Sequence, residues 1–188
     1  NESGRIGNVI KNTQKYFNNI IIVDDGSIDS TLSEISSCNP SIILKHCVNC
    51  GQGTALATGI KYFLDNTNFK YLITLDADEQ HMPEDALSMF NYAIDNKSDA
   101  VYGSRFLNYE SLIEVPKIKR LTLSLAKLFE RILFGISLSD SHNGLRVLSR
   151  KACMNLEKLN SSSMANGTEI TVKLIENSIK IDEFPCKI

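Results

Sequence analysis

Asp76 and Asp78 stand one residue apart, directly after the apolar, β-rich run Tyr71-Leu72-Ile73-Thr74-Leu75. Two carboxylates this close at the end of a buried strand repel each other and resist desolvation unless a cation sits between them. A hard divalent ion such as Mg²⁺ or Mn²⁺ selects oxygen ligands of this kind. On alternate positions of an extended segment Asp76, Asp78 and Gln80 point the same way, so Gln80 can add a neutral oxygen. An ion held by so few protein groups keeps positions open for phosphate oxygens. A second acidic pair, Asp24-Asp25, ends the β-branched run Ile20-Ile21-Ile22-Val23 and is followed by Gly26-Ser27. A carboxylate in such a turn can accept hydrogen bonds from a ribose or a base N–H. Arg105 follows Ala100-Val101-Tyr102-Gly103 and offers a guanidinium to phosphate oxygens.

Further along, Asp140-Ser141-His142-Asn143-Gly144-Leu145-Arg146 is dense in polar groups. Asp140 suits a general base or a group that orients an acceptor, and Arg146 and Arg150 suit an anionic acceptor. Each motif also has a plainer reading. Acids before Pro83 can cap a helix, Asp24-Asp25 can serve a simple turn, and Arg105 can be a surface ion pair. His142 reads as an ordinary loop histidine, and Glu169 as either an acceptor-side group or an acid favoured by a helix N-terminus.

The elements that must position these groups alternate along the chain. Helix-like stretches at 6–17, 30–35 and 52–64, and one beginning at Pro83, separate strand-like runs at 20–23, 42–44, 71–75 and 100–103. Short connections in a βαβ pattern predict an open, mostly parallel α/β sheet with right-handed crossovers. In such sheets ligands bind beyond the carboxyl ends of the strands, where both acidic pairs fall. Asn49 to Thr54 is a glycine-bearing turn that opens a helix and can present N–H groups to phosphate, although it is neither a P-loop nor a dinucleotide fingerprint. Residues 117–134 read as an amphipathic helix with basic flanks, suited to an anionic membrane surface, to packing on the sheet or to a homodimer interface.

With 188 residues, 43% apolar and 22% charged, the chain fits one soluble domain. A net charge of −2 and the absence of Trp argue against nucleic acid as a partner. The five cysteines are irregularly spaced and read as reduced thiols of an intracellular protein. No apolar run approaches the ~20 residues that span a bilayer.

Taken in order, these motifs resemble glycosyltransferase family 2, and most closely its polyprenyl-phosphate sugar transferases, the dolichol-phosphate mannose synthase-like branch. The resemblance covers nearly the whole chain. Asn1-Glu2 is similar to the end of that family's Pro-Ala-Tyr-Asn-Glu signature, which implies that the first strand of the fold lies ahead of Asn1 and is missing here. Val23-Asp24-Asp25-Gly26-Ser27 resembles the nucleotide-contacting turn. Asn49 to Gly59 resembles a Gly-Lys-Gly helix opening, with Gln52 where a basic residue is usual. Asp76-Ala77-Asp78-Glu79-Gln80-His81 resembles the metal-binding DxD segment, and Gly103-Ser104-Arg105-Phe106 the strand whose arginine meets the donor phosphates.

The resemblance implies a single GT-A domain over 1–188, with a nucleotide-sugar part at 1–105 and an acceptor part at 106–188. Glu2, Val23, Asp25, Asp76, Ala77, Asp78 and Arg105 would then face a UDP- or GDP-linked sugar. Asp76, Asp78 and Gln80 would hold Mg²⁺ or Mn²⁺, and Asp140, Asp78 and Arg105 would serve the reaction. Asn143, Gly144, Arg146, Arg150 and Glu169 would lie on the acceptor side. The implied reaction is an inverting transfer to a polyprenyl phosphate, or to a saccharide hydroxyl, at the cytoplasmic face of the membrane. Rival readings are a GT-A nucleotidyltransferase and a non-catalytic nucleotide-sugar-binding module.

Overall fold

The computed structural model describes residues 1–107, 135–159 and 166–187. The amphipathic helix expected at 117–134 lies outside them. The first half alternates strictly: α1 (Ile6–Gln14), β1 (Ile21–Asp24), α2 (Thr31–Ser37), β2 (Ile42–Lys45), α3 (Gln52–Asn66), β3 (Tyr71–Thr74), α4 (Pro83–Asp95) and β4 (Ala100–Ser104). Then come β5 (Arg146–Ser149), α5 (Arg150–Met154), α6 (Asn166–Glu176) and β6 (Ile181–Pro185).

Local chemistry accounts for the boundaries. The carbonyl of Glu2 accepts from Arg5 and Ile6 N–H and starts α1, whose Ile6 and Ile10 lie one turn apart and pack on Ile35 of α2. Asp29 Oδ1 accepts from Thr31 N–H at 3.0 Å and opens α2. Pro83 sits in the first turn of α4, where its missing N–H has no helical partner to lose. Ser149 Oγ caps α5 by accepting from Ala152 N–H at 3.1 Å.

The strands form two sheets. β1 and β2 pair in parallel, from Ile21 with Ile42 to Asp24 with Lys45. The second sheet has the order β3-β5-β4-β6. β5 runs antiparallel to both neighbours and β4 runs parallel to β6, so β3, β4 and β6 share one direction. The mostly parallel sheet is therefore present, with β5 inserted against the grain. β5 lies well after Arg105 in sequence yet fills the gap between β3 and β4, so residues from before and after Arg105 share a sheet.

The core sits around this second sheet. Ala100, Val101 and Tyr102 of β4 and Val147 and Leu148 of β5 are fully buried. Ile60 and Phe63 of α3 and Ile170 and Leu174 of α6 cover one face, and Ala86, Met89 and Ala93 of α4 cover the other. No described helix is long and apolar enough to cross a membrane.

Candidate active site

The carboxyl ends of β1 and β3 meet at the N-terminus of α3. Asp25 Oδ1 accepts from Cys50 N–H at 2.9 Å and Oδ2 from Gly51 N–H at 2.7 Å. His46, just past β2, lies 2.7 Å from Asp25 Oδ1 and 2.9 Å from Thr58 Oγ1. Partial burial acts to raise the Asp25 pKa. The Cys50, His46 and Gly51 hydrogen bonds and the His46 charge outweigh it and hold the carboxyl below its ordinary value. Asp25 thus clamps the β1 turn to the α3 turn. Asp24 is 3% exposed, and its Oδ1 accepts from Ser27 N–H at 3.3 Å while Oδ2 has no partner among the described residues. Gly26 has a φ of +69°, and a Cβ there would meet Val48 and Asn49 backbone at 2.5 and 2.6 Å, so only glycine fits this turn.

On the neighbouring strand end, Gln52 Nε2 donates to Asp76 Oδ1 at 3.3 Å, and Asp76 N–H donates to His81 Nδ1 at 3.2 Å. The Asp76 carboxylate lies directly over Gly144. A Cβ at 144 would meet its carboxyl carbon at 2.5 Å and Oδ1 at 2.6 Å. Thr74 Oγ1 donates to the Gly144 carbonyl at 2.7 Å and ties the same two segments. The strand ends at Thr74 and the chain bends through 77–79, with Glu79 at a φ of +69°. The alternation expected to align Gln80 with Asp76 and Asp78 is therefore broken, because the segment is not extended there. Asp78 Oδ1 accepts from Gln80 N–H at 3.1 Å. The oxygens of Asp76 and Asp78 suit a hard divalent cation, and the Gly144 cradle keeps room for the Asp76 carboxylate.

Arg105 and Asp140 meet across 35 residues of sequence. Arg105 Nε donates to Asp140 Oδ2 at 2.7 Å, its Nη2 to Oδ1 at 2.8 Å, and its backbone N–H to Oδ2 at 3.2 Å. The Asp140 side chain is 4% exposed and that of Arg105 is 41%. The Asp140 hydrogen bond raises the Arg105 pKa, so the guanidinium stays cationic. Glu183 of β6 accepts from Ser139 N–H at 2.7 Å and Asp140 N–H at 3.1 Å, and so holds this loop from below. In this geometry the Asp140 carboxylate is bonded to Arg105 and positions its guanidinium.

The remaining predicted residues divide. Glu2 sits at the start of α1, with its N–H on Thr31 Oγ1 at 2.8 Å, and lines the cleft with Val23 and Ala77. Asn143 is buried and braces its own loop, with Oδ1 accepting from Leu145 N–H and Nδ2 on Cys186 Sγ. Arg146 is 4% exposed, lies 5.0 Å over the Tyr102 ring, and lines a 320 Å³ cavity with Asp76 and Asn166. Glu169 pairs with Lys173 at 2.9 Å. Arg150 departs furthest from expectation. Its N–H donates to the Lys70 carbonyl and its side chain to the Phe69 and Leu64 carbonyls, at the amino end of β3. Because β5 runs antiparallel to β3, only three residues separate Arg146 near the site from Arg150 at the opposite edge.

The sequence places Gln52 and His81 only within wider motifs and does not single out His46 or Glu183. His46 had a usable signal, since it follows a strand's carboxyl end as Asp25 and Asp76 do. Glu183 had none, because its partners are fixed by the parallel pairing of β4 with β6.

Residues 1–156 match the model of glycosyl transferase family 2. The chain is 34% identical over its whole length to an uncharacterised protein of Methanocaldococcus jannaschii, covering 77% of it. It is 32% identical, again over its whole length, to the UDP-N-acetylglucosamine–dolichyl-phosphate N-acetylglucosaminyltransferase of Methanococcus voltae, covering 81% of that protein. Polyprenol monophosphomannose synthase of Mycolicibacterium smegmatis is 29% identical, with 88% of this chain and 64% of the relative covered. Among solved structures, glucosyl-3-phosphoglycerate synthase from Mycobacterium tuberculosis, with Mn²⁺, UDP-glucose and phosphoglyceric acid, superposes with a TM-score of 0.71. It has 14% identity, covering all of this chain and 68% of that one. The strand-end acids, the shared fold and the family match agree, and the chain belongs to glycosyl transferase family 2 as a glycosyltransferase of GT-A fold.

Proposed function

We propose that this glycosyltransferase moves a sugar from a nucleotide-diphosphate donor to a polyprenyl phosphate at the cytoplasmic face of the membrane, with inversion at the anomeric carbon. One observation carries the reading. The single loop 140–144 reaches Asp76 through Gly144 and Arg105 through Asp140, so it gathers the acidic strand end and a guanidinium at one edge. Bound at Asp76 and Asp78, with Gln80 able to join only if the bend at 77–79 relaxes, Mg²⁺ or Mn²⁺ would neutralise charge on the departing diphosphate. Arg105, held by Asp140, contributes a fixed positive charge to the same diphosphate.

The acceptor follows from proton accounting. A phosphate oxygen is already anionic and attacks the anomeric carbon as the nucleoside diphosphate leaves, so no base is required. A sugar hydroxyl would need one. Asp140, the acid considered for that role, is paired with a cation, as is Glu169 on the acceptor side. The lipid-phosphate relatives point the same way.

The test is a screen of UDP- and GDP-sugars with polyprenyl phosphate and Mn²⁺. The wild type should consume one donor and Asp78→Ala should lose about 10³-fold or more in turnover, in line with removal of a transition-state charge partner. Asp140→Asn should lower turnover without removing an acidic limb from the pH profile. No donor consumed, or Asp78→Ala equal to wild type, sinks the proposal.

A further inference from the structure

The parallel register of β1 and β2 continues one residue past the strands. Asp24 pairs with Lys45, and His46 N–H donates to the Asp24 carbonyl at 2.9 Å, so Asp25 and His46 leave the sheet side by side. The turn before α3 folds back over them, because Cys50 and Gly51 N–H both donate to the Asp25 carboxylate. Three separate segments thus converge. An Asp25 oxygen, a His46 ring nitrogen and Cys50 Sγ all lie within 4.8 Å of one another, the one such group of three acid, histidine or cysteine ligands among the described residues.

An oxygen, a nitrogen and a sulfur together suit Zn²⁺, a borderline-soft ion, and not Mg²⁺, which takes oxygen. The supporting bonds of a zinc site are already in place. A metal-bound histidine donates its other ring N–H to a neighbouring oxygen, and a metal-bound carboxylate is itself hydrogen-bonded. His46 Nε2 lies 2.9 Å from Thr58 Oγ1 of α3, and Asp25 keeps its two backbone donors. Cys50 is exposed, with its thiol 3.4 Å from the Val48 carbonyl, so an ion in solvent can reach the sulfur. His46 Nδ1 and Asp25 Oδ1 are 2.7 Å apart. A tetrahedral zinc with bonds of about 2.0 Å holds two such atoms about 3.3 Å apart, so ring and carboxylate part by about half an ångström on loading.

We infer that Asp25, His46 and Cys50 form a Zn²⁺ site, separate from the Asp76 and Asp78 oxygens, with its fourth position open to water. On loading, Zn²⁺ takes the place of a proton on His46 Nδ1, Nε2–H donates to Thr58 Oγ1, and the Cys50 thiol releases its proton to solvent. The ion fastens the β1 turn to the α3 turn and engages the Asp25 carboxylate. That residue lines the same cleft as Glu2 and Gln52, so a loaded site weakens nucleotide binding there. This consequence rests on the function proposed above, whereas the metal site itself does not.

The probe is Zn²⁺ itself, titrated into the full reduced chain against a chromophoric chelator, in excess Mg²⁺ so that oxygen-only sites stay filled. One ion should bind per chain. Co²⁺ in its place should give a sulfur-to-metal charge-transfer band. Cys50→Ser should remove that band and weaken Zn²⁺ by at least the ~10–100-fold typical of losing even a supporting partner. His46→Gln should do the same, and the exposed Cys50 carries the test if that variant fails to fold. Thr58→Val should weaken the ion about tenfold, and Cys47→Ser should leave it unchanged. No binding, binding unaffected by Cys50→Ser, or equal loss from Cys47→Ser overturns the site, the last by pointing to a plain thiol pair. UDP titration in Mg²⁺, with and without Zn²⁺, separates the two claims. Zn²⁺ should weaken UDP about tenfold in the wild type and not in Cys50→Ser, a usual size for coupling between sites. Zn²⁺ binding with unchanged UDP affinity keeps the metal site and overturns its coupling to the donor.

Discussion

β1 and β4 have similar lengths and opposite fates. Ile21-Ile22-Val23-Asp24 is the more hydrophobic of the two, yet only Asp24 is buried. Ala100-Val101-Tyr102-Gly103-Ser104 contains a tyrosine and a serine, yet every residue is buried. The difference lies in the neighbours. β4 has β5 on one side and β6 on the other, whereas β1 has β2 alone among the described strands. Burial is set by how many edges are paired, and composition ranks second. The candidate site spans this boundary, with Asp25 and Asp76 just past the ends of β1 and β3 and Gly144 and Arg105 beside β5 and β4.

The largest contrast should appear in stability. Leu148→Ala, at a fully buried position of β5, should cost ~2–5 kcal/mol, because removed contacts and a cavity add. Ile22→Ala, beside the open cleft, should cost under ~2 kcal/mol because less of its surface leaves water. Urea unfolding of both variants measures the gap, and equal costs would erase the distinction between the regions.

A second substitution probes the seam. Gly144→Ala places a methyl group where the Asp76 carboxylate lies, and that flexible side chain can swing away. Turnover should fall about 100-fold, the scale of an ångström-sized misplacement, while the urea midpoint barely moves. A large loss of stability with normal turnover in the folded fraction would show that the cradle serves packing alone.

The smallest effect is electrostatic and belongs to the open region. The Asp25 carboxyl is held below the ordinary aspartate value of 3.8. The folded state therefore binds a proton less readily than the unfolded chain. Its stabilising contribution is complete above the unfolded value and is lost as pH falls through the lower folded one. Protection against hydrogen exchange at the β1–α3 clamp, taken relative to the unfolded chain at the same pH, should fall on acidification below about pH 4, where ordinary carboxylates titrate, and Asp25→Asn should flatten that response. An unchanged response in the variant would assign the acid sensitivity elsewhere.

Much of this architecture is legible from residue order. The β-branched runs at 20–23, 42–44 and 71–75 and the helix after Pro83 are strong local signals, and the structure keeps them within a residue or two. β5 is not legible in the same way. Arg146-Val147-Leu148-Ser149 holds two apolar residues between polar ends, too short a pattern to announce a central antiparallel strand. The loop 140–144 reads as polar and chemical, but its partners do not follow from that. Arg105 finds Asp140 and Asp76 finds Gly144 only because β5 inserts between β3 and β4.

The sequence by itself determined the reaction class. Carboxylates at strand ends are costly without a cationic partner, and Asp24-Asp25 and Asp76-Ala77-Asp78 occur in the order that resembles the motifs of the family. Only the tertiary structure decided which groups remain available there. Register and strand direction spent Asp25 on a loop clamp, gave Asp140 to Arg105 and sent Arg150 to the far edge. Side-chain chemistry is a property of the residue, whereas its free lone pairs and donors depend on neighbours brought in from tens of residues away.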